Sequence, residues 1–357
     1  MQTQVTKRLD FSGKKVFVGL DVHKKSWSVT IIVEGIEHKT FNQPADPRVL
    51  SDYLTRMFPN GEYSSAYEAG FSGYGTHRAL HALGIHNRVI NASDIPTTQK
   101  DTLGKTDRVD SRKISRALEK DMVQGIHVFD RDLEELRSLN RTRMNLMKDF
   151  RRSKNRIKSF LYYFGIILPP QFDNNHWSHD FEVWLEGVDM DTNGGKDALD
   201  QLLATYRYFR QQMLDIGSQL RKCIRKHDRE LYDQLQTIPG VGPLTAITLI
   251  TELGDIKRFR HINHLASFVG LIPRIKQSGE IERTGDLTFR CNHYLRTMIV
   301  EASWTAIRMD PVLMQYYQQK RVNSISQKAI IKVARKLLNR IRYVMKNRQP
   351  YVLGVIE

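Results

Sequence analysis

Between residues 15 and 120 three strand patterns come in close succession, at Lys15–Val22, Trp27–Val33 and Glu37–Phe41. Helical and strand patterns then alternate, at Pro47–Phe58, Tyr63–Glu68, Tyr74–Leu83, Asn87–Asn91 and Thr106–Glu119. Short apolar runs bounded by Gly, Asn and Asp mark the strands, and apolar residues three and four apart mark the helices. Such an order constrains the segment to one α/β domain. Carboxylates stand where its strands stop: Asp21 in VFVGLDV, and Glu68 at the end of SSAYE, just before Ala69-Gly70. Two more, Asp107 and Asp110 in KTDRVDSRK, lie three apart in a helical run, which places their Cβ atoms roughly 5–6 Å apart on one face.

Four carboxylates gathered together repel one another, and some would hold protons unless divalent metal neutralised them. Two hard cations about 3.5–4 Å apart would do so and would clamp a phosphate between them. Asp21, Glu68, Asp107 and Asp110 are therefore the expected catalytic and metal-holding set, for Mg2+ or another divalent cation. Three strands followed by alternating helix and strand is also the RNase H-like order, the fold expected for residues 15–125.

The charge balance points to the same substrate class. The 357 residues carry 55 Lys and Arg against 39 Asp and Glu, a formal charge of +16. A chain this basic seeks polyanions. From Pro311 to Ile356 there is no acidic residue, while Lys320, Arg321, Lys332, Arg335, Lys336 and Arg340 recur. A solvated helix face mixes signs, so this tail is expected to meet nucleic acid, with Lys332, Arg335 and Lys336 as contacts. Two cysteines, Cys223 and Cys291, indicate no disulfide framework. Neither terminus has the apolar stretch of a signal peptide, and no apolar run reaches membrane-span length, so a cytoplasmic protein is expected.

After residue 130 the character changes. Leu136, Leu139, Leu146, Phe150, Ile157 and Phe164 keep a 3,4 spacing interrupted by Arg143 and Ser153, with Arg151, Arg152, Lys154, Arg156 and Lys158 interleaved. This predicts a long basic helix that binds nucleic-acid backbone. An acidic, Trp-containing insert at about 170–195 follows Pro169-Pro170. Leu199, Leu202, Tyr206, Phe209, Met213, Ile216, Leu220 and Cys223 then predict a second long helix, making residues 130–230 a coiled-coil region. Whether the two helices pair within one chain or between chains is open at this level.

A third, mostly helical region is expected at 235–350. IPGVGPLTAITLITELGDI has the form of a helix-hairpin-helix, in which Gly240 and Gly242 permit a tight turn and close approach of a phosphate to the next helix's N-terminus. Beyond it, Ser278 precedes Gly279 in a polar loop bracketed by Arg274, Lys276 and Arg283. On chemistry alone Ser278 is a loop serine, since no His stands near it in sequence to serve as its base.

Taken as a set, GLDVHKK, YEAGFSGYG, KTDRVDSRK, IPGVGPLTAITLITELGDI, FVGLIPR, QSG and NHYLR resemble the DEDD-type transposases of bacterial insertion sequences, the family described as bridge-RNA-guided recombinases. The resemblance runs from about Lys15 to Arg296 and more weakly beyond. It implies that Asp21, Glu68, Asp107 and Asp110 are the four acids of a Holliday-junction-resolvase-like domain, and that Ser278 is the serine of a C-terminal transposase domain. It implies a hybrid site in which the acids of one subunit meet the serine of another, hence a homo-oligomer, dimer or tetramer. Donor DNA, target DNA and an element-encoded noncoding guide RNA are the implied partners, and a nucleoid location follows. The chain departs from the family after the serine loop, where Phe289-Arg290-Cys291-Asn292 replaces a basic residue followed by Gly-Asn.

These readings converge on a transposase or recombinase in which metal orients the scissile phosphate, Ser278 attacks it, and Arg274, Lys276 and Arg283 stabilise the charge that develops. The rival enzyme is a two-metal, structure-selective nuclease of the junction-resolvase type with water as nucleophile. A nucleic-acid-binding protein without catalysis would leave the four acids unexplained.

Overall fold

The computed structural model describes residues 10–96, 106–174, 176–278, 281–322 and 324–353; the side chains at 275–278 and 281–284 lie outside that description. Two compact units, Met1–Val128 and Phe129–Glu357, divide the chain. Among the described residues no helix is long and apolar enough to cross a membrane.

The first unit is a mixed α/β sheet of the kind expected for an RNase H-like domain. β1 (Lys15–Val22), β2 (Ser26–Val33) and β3 (Ile36–Pro44) form an antiparallel meander, and β4 (Glu62–Glu68) and β5 (His86–Ile90) add in parallel, giving the order β3-β2-β1-β4-β5. Two helices supply the crossovers: α1 (Pro47–Met57), capped by Asp46 and begun by Pro47, and α2 (Gly75–Ala82). Strand alternation then assigns the faces. Val16, Val18 and Leu20 of β1 are buried with Leu50 and Leu54 of α1 and Leu80 of α2. The opposite face, with Phe17 and Ala66, is covered by α3 (Asp107–Glu119) through Ile114, Ala117 and Leu118.

α3 comes unusually close to β1, and Gly19 is the reason. A Cβ at that position would stand 2.0 Å from the Ser111 carbonyl oxygen and 2.4 Å from the Ser115 amide nitrogen. The interface is built of small residues whose polar atoms pair across it. Ser111 Oγ lies 2.9 Å from Thr30 Oγ1, and Ser115 Oγ donates to the Phe17 carbonyl at 3.1 Å. Each buried hydroxyl is thereby satisfied, which close packing in a low dielectric requires.

The second unit is mostly helical. α4 (Arg131–Tyr163) and α6 (Asn193–Gln236) are the two long helices, and they pack on each other within the chain. Ile157 and Leu161 of α4 meet Leu199, Leu203 and Tyr206 of α6, joined by Phe181 and Leu185 of α5 (His179–Glu186) from the acidic insert. Along α6 the apolar stripe drifts from the predicted one: Leu203 and Ile224 are buried where Leu202 and Cys223 were expected, and the helix breaks at Asp228 (φ −158°, ψ 79°). A straight α-helix turns every 3.6 residues, so a 3.5-residue seam cannot stay on one face over this length. Arg143 and Ser153, which interrupt the stripe of α4, are both buried.

The rest of the unit surrounds α7 (Pro243–Leu253), whose residues Ala246 to Leu253 are all buried. α8 (Ile262–Val269), α9 (His293–Met309), α10 (Pro311–Val322) and α11 (Ser326–Asn347) close a single core with the ends of α4 and α6. At its centre Glu252 takes Arg137 at 2.9 Å, Arg141 at 2.6 Å and Asn292 at 2.7 Å. Burial opposes ionisation there, but these three donors outweigh it and hold the carboxyl below its usual range. Gly240 has φ +84° and its missing Cβ would meet the Ala302 carbonyl of α9 at 2.2 Å, so its close approach is to a neighbouring helix.

One expectation changes here. The polar stretch around Ser278 is not a loop: β6 (Pro273–Ser278) and β7 (Ile281–Leu287) form an antiparallel hairpin in which Ser278 pairs with Ile281 and Lys276 with Arg283. Backbone ladder bonds hold a two-stranded ribbon with little apolar alternation to announce it. The acid-free tail forms part of the helical core. α11 buries Ala329, Val333, Leu337, Ile341 and Val344, and its charges find carboxylates distant in sequence, Arg340 on Asp310 and Arg348 on Asp228 at 2.7 Å.

Candidate metal centre and nucleic-acid interface

Close packing at Gly19 sets the geometry of the acidic site. Gly19 and Asp21 are two apart on β1 and therefore share the face that α3 covers. Thr106 caps α3 by accepting from the Val109 amide, and Asp107 and Asp110 fill the first turn. Carboxylates are favoured there by the helix dipole. Asp107 is thereby brought to Asp21, and a third residue joins them: His23 Nε2 lies 3.1 Å from Asp21 Oδ2 and 3.4 Å from Asp107 Oδ2. Ligand atoms of Asp21, His23 and Asp107 all lie within 4.8 Å of one another.

The other two acids frame this group. β4 runs parallel to β1 with Leu20 opposite Tyr67, so Asp21 and Glu68 are the next residues on neighbouring strands and Glu68 shares the α3 side with Ala66. Asp110 is paired with Lys113 at 3.5 Å. Burial, first of all, pushes the Asp21 carboxyl up; the charges of Asp107 and Asp110 add to that, against the pull of His23. A carboxylate destabilised by desolvation and by like charge is stabilised by a cation at the same place, so this donor set fits a divalent ion.

His23 is the site residue that the sequence reading missed. Its signal was the Asp-x-His spacing: His23 is the first residue after β1, and the strand alternation carried one step past that end puts it on the Asp21 side.

Ser278 stands at the last described position of β6, and Arg274, at the start of that strand, places its guanidinium 3.8 Å from the Phe289 ring centroid. The side chains of Ser278, Lys276 and Arg283 lie outside the described residues. Along α4, Arg151, Arg152 and Arg156 are exposed, Arg152 with an ion pair to Asp149 at 3.1 Å. Lys158 donates to the Asn174 carbonyl. Lys154 faces inward: its ammonium lies 4.6 Å from the Phe150 ring and 5.2 Å from Trp177, and desolvation lowers its pKa. On α11, Lys332 is exposed, Arg335 donates to Asn263 at 2.6 Å, and Lys336 lies 4.5 Å over Tyr316. Gly242 is the N-cap of α7, with open space around it.

Comparison with known proteins bears on both units. Residues 18–164 match the DEDD transposase family of IS110 type, and residues 232–318 match the family described as Transposase IS116/IS110/IS902. Protein y4qE of Sinorhizobium fredii is 26% identical over 337 residues, covering 92% of this chain and 82% of the relative. The transposase for insertion sequence element IS1111A of Coxiella burnetii is 25% identical over 232 residues, 65% of this chain and 62% of that one. The pilin gene-inverting protein of Moraxella bovis is 31% identical over 120 residues, 33% of this chain and 37% of its own.

Proposed function

This chain belongs to the DEDD transposases of IS110-type insertion sequences, enzymes that cut and rejoin DNA, and we propose that it does so by serine attack on a phosphodiester beside a carboxylate-held divalent cation. The observation that carries the reading is the convergence of Asp21, His23 and Asp107 where β1 meets α3. Asp21, Asp107, Asp110 and Glu68 would hold Mg2+ or a similar hard ion, with His23 orienting the first two. Such a cation, when bound, polarises the phosphate and offsets charge on its oxygens.

The step itself belongs to the chain's own groups. Ser278 Oγ bonds to phosphorus, the bond from phosphorus to a DNA oxygen breaks, and the departing hydroxyl takes up the proton that serine gives away. The phosphoserine ester conserves the bond energy until another DNA hydroxyl reverses the exchange, so no nucleotide triphosphate is consumed. Arg274, Lys276 and Arg283 on the β6–β7 hairpin would stabilise the charged oxygens. In the resolvase-like reading of the first unit, the acids of one subunit act with Ser278 of another, which calls for a dimer or tetramer.

Nucleic-acid backbones would lie along Arg151, Arg152 and Arg156 of α4, along Lys332 of α11, and at the α7 N-terminus by Gly242 in a helix-hairpin-helix arrangement. Sequence choice would come from an element-encoded guide RNA paired with donor and target DNA, since these residues meet phosphates and read no bases. RNA dependence is tested by recombination with purified protein, both DNAs and Mg2+, before and after complete RNase treatment. Exchange is expected to stop and to return when the element's noncoding RNA is added back. Undiminished exchange without RNA would mean that the protein reads its own sites.

A further inference from the structure

Arg143 is an uncompensated buried charge. It lies in the middle of α4, is 8% exposed, and among the described residues no carboxylate comes within ion-pair distance of it. Its Nε has no hydrogen-bond partner. Burial, and after it the like charge of Arg221 on α6, lower the Arg143 pKa. Elsewhere in this unit the buried charges are matched, as Glu252 is by Arg137 and Arg141, and Asp310 by Arg340. A buried cation left without an anion is costly, and a site that keeps one is suited to an anion from outside.

Arg143 also lines a groove of about 830 Å³ between α4, the start of α7 and α9. Lys148 and Arg151 stand on its α4 side, and Glu301 is the one acidic residue of its lining. Met144, Met147, Met298 and Tyr294 supply the apolar and aromatic part of the walls, and Thr245, Thr297, Thr305 and His293 the polar part. That volume falls in the range of sites for compact ligands, too small for a duplex about 20 Å across but sufficient for an unstacked nucleotide. Polarizable thioethers and a tyrosine ring accept any base face, and cations beside them take the phosphate.

We propose that this groove binds one unstacked nucleotide of a single-stranded segment, with its phosphate on Arg143, Lys148 and Arg151 and its base between the methionines and Tyr294. The proposal rests on the reading of the chain as a nucleic-acid enzyme and adds a defined single-strand pocket to it. It accounts for an arginine that interrupts the apolar stripe of α4 without an ion-pair partner among the described residues.

The test uses the full-length protein and fluorescence anisotropy with labelled 12-nucleotide single strands, ribo and deoxy, an abasic version of each, and a duplex of the same length. Wild type is expected to bind the intact single strand about tenfold more tightly than the abasic one. Arg143→Met should weaken single-strand binding about tenfold and flatten its salt dependence by roughly 0.7 in log–log slope, the share of one phosphate on a single strand. Duplex affinity should stay within twofold, and thermal stability should not fall, because the variant removes an unpaired buried charge. Lys148→Gln, on the exposed rim, gives the same readout should Arg143→Met fold poorly. Whether ribo or deoxy strands bind more tightly identifies the source of the nucleotide. Equal binding of intact and abasic strands, or variants with unchanged single-strand affinity and slope, overturns the pocket while wild-type duplex binding leaves the wider reading in place. Loss of binding to every nucleic acid by wild type would instead overturn the wider reading.

Discussion

Asp21→Asn is expected to lower strand exchange about a thousandfold or more, with the fold intact. The amide keeps the shape of the carboxylate but withdraws the charge that faces Asp107 and His23 on the α3 side of β1. Several kcal/mol of charge stabilisation at the reacting phosphate would go with it, and about 1.4 kcal/mol is a factor of ten in rate. Thermal unfolding against Mg2+ separates this from a structural role. Wild type should gain stability as the ion is added, by the linkage between binding and folding, and the variant should gain less. Identical responses would mean that the acids only shape the fold.

Gly19→Ala is the second large effect, and it acts through packing. The added methyl would overlap backbone atoms of α3 at Ser111 and Ser115, which cannot move without moving the helix. Overpacking a well-filled core typically costs about 1–3 kcal/mol, occasionally more, and backbone obstruction belongs at the upper end. Displacing α3 also carries Asp107 away from Asp21, so activity and metal response should fall together with Tm. Gly75→Ala is the control: at the start of α2 nothing lies within 4 Å of the added methyl, and Tm should be unchanged or slightly higher. A Gly19→Ala protein with wild-type Tm and activity would show that the α3–β1 contact is looser than this packing requires.

How much of this was legible in the chain follows from the range of the forces involved. The sheet and the places of the acids on it were readable because strand alternation and helix caps are local: Asp21 and Glu68 close apolar runs, and Thr106 precedes Asp107 at the predicted helix start. Gly19 gave no such signal, since the reason for a glycine there is a helix more than ninety residues later. His23 stands one residue past the end of β1, where no apolar pattern marks it as part of the site. The β6–β7 hairpin was read as a loop because Lys276, Gln277 and Ser278 show no apolar alternation, and what pairs them is backbone. Charge along the tail reads as nucleic-acid contact throughout, whereas Arg340 and Arg348 are paired with Asp310 and Asp228. Lys154 belonged by sequence to the basic face of α4, yet the rings of Phe150 and Trp177 draw it inward. At Gly19, and at Arg340 and Arg348, a contact distant in sequence outweighed the local pattern.

The central claim is that Ser278 forms the covalent link to DNA, and trapping that link tests it most directly. Wild-type protein, incubated with Mg2+, guide RNA and a nicked suicide substrate that prevents rejoining, is digested with nuclease and protease and mapped by mass spectrometry. A nucleotide remnant on the peptide carrying Ser278, lost in Ser278→Ala and in Asp21→Asn, is the predicted result. Full strand exchange by Ser278→Ala, or exchange by wild type with no protein–DNA adduct, would contradict it and assign the chemistry to the carboxylates and water.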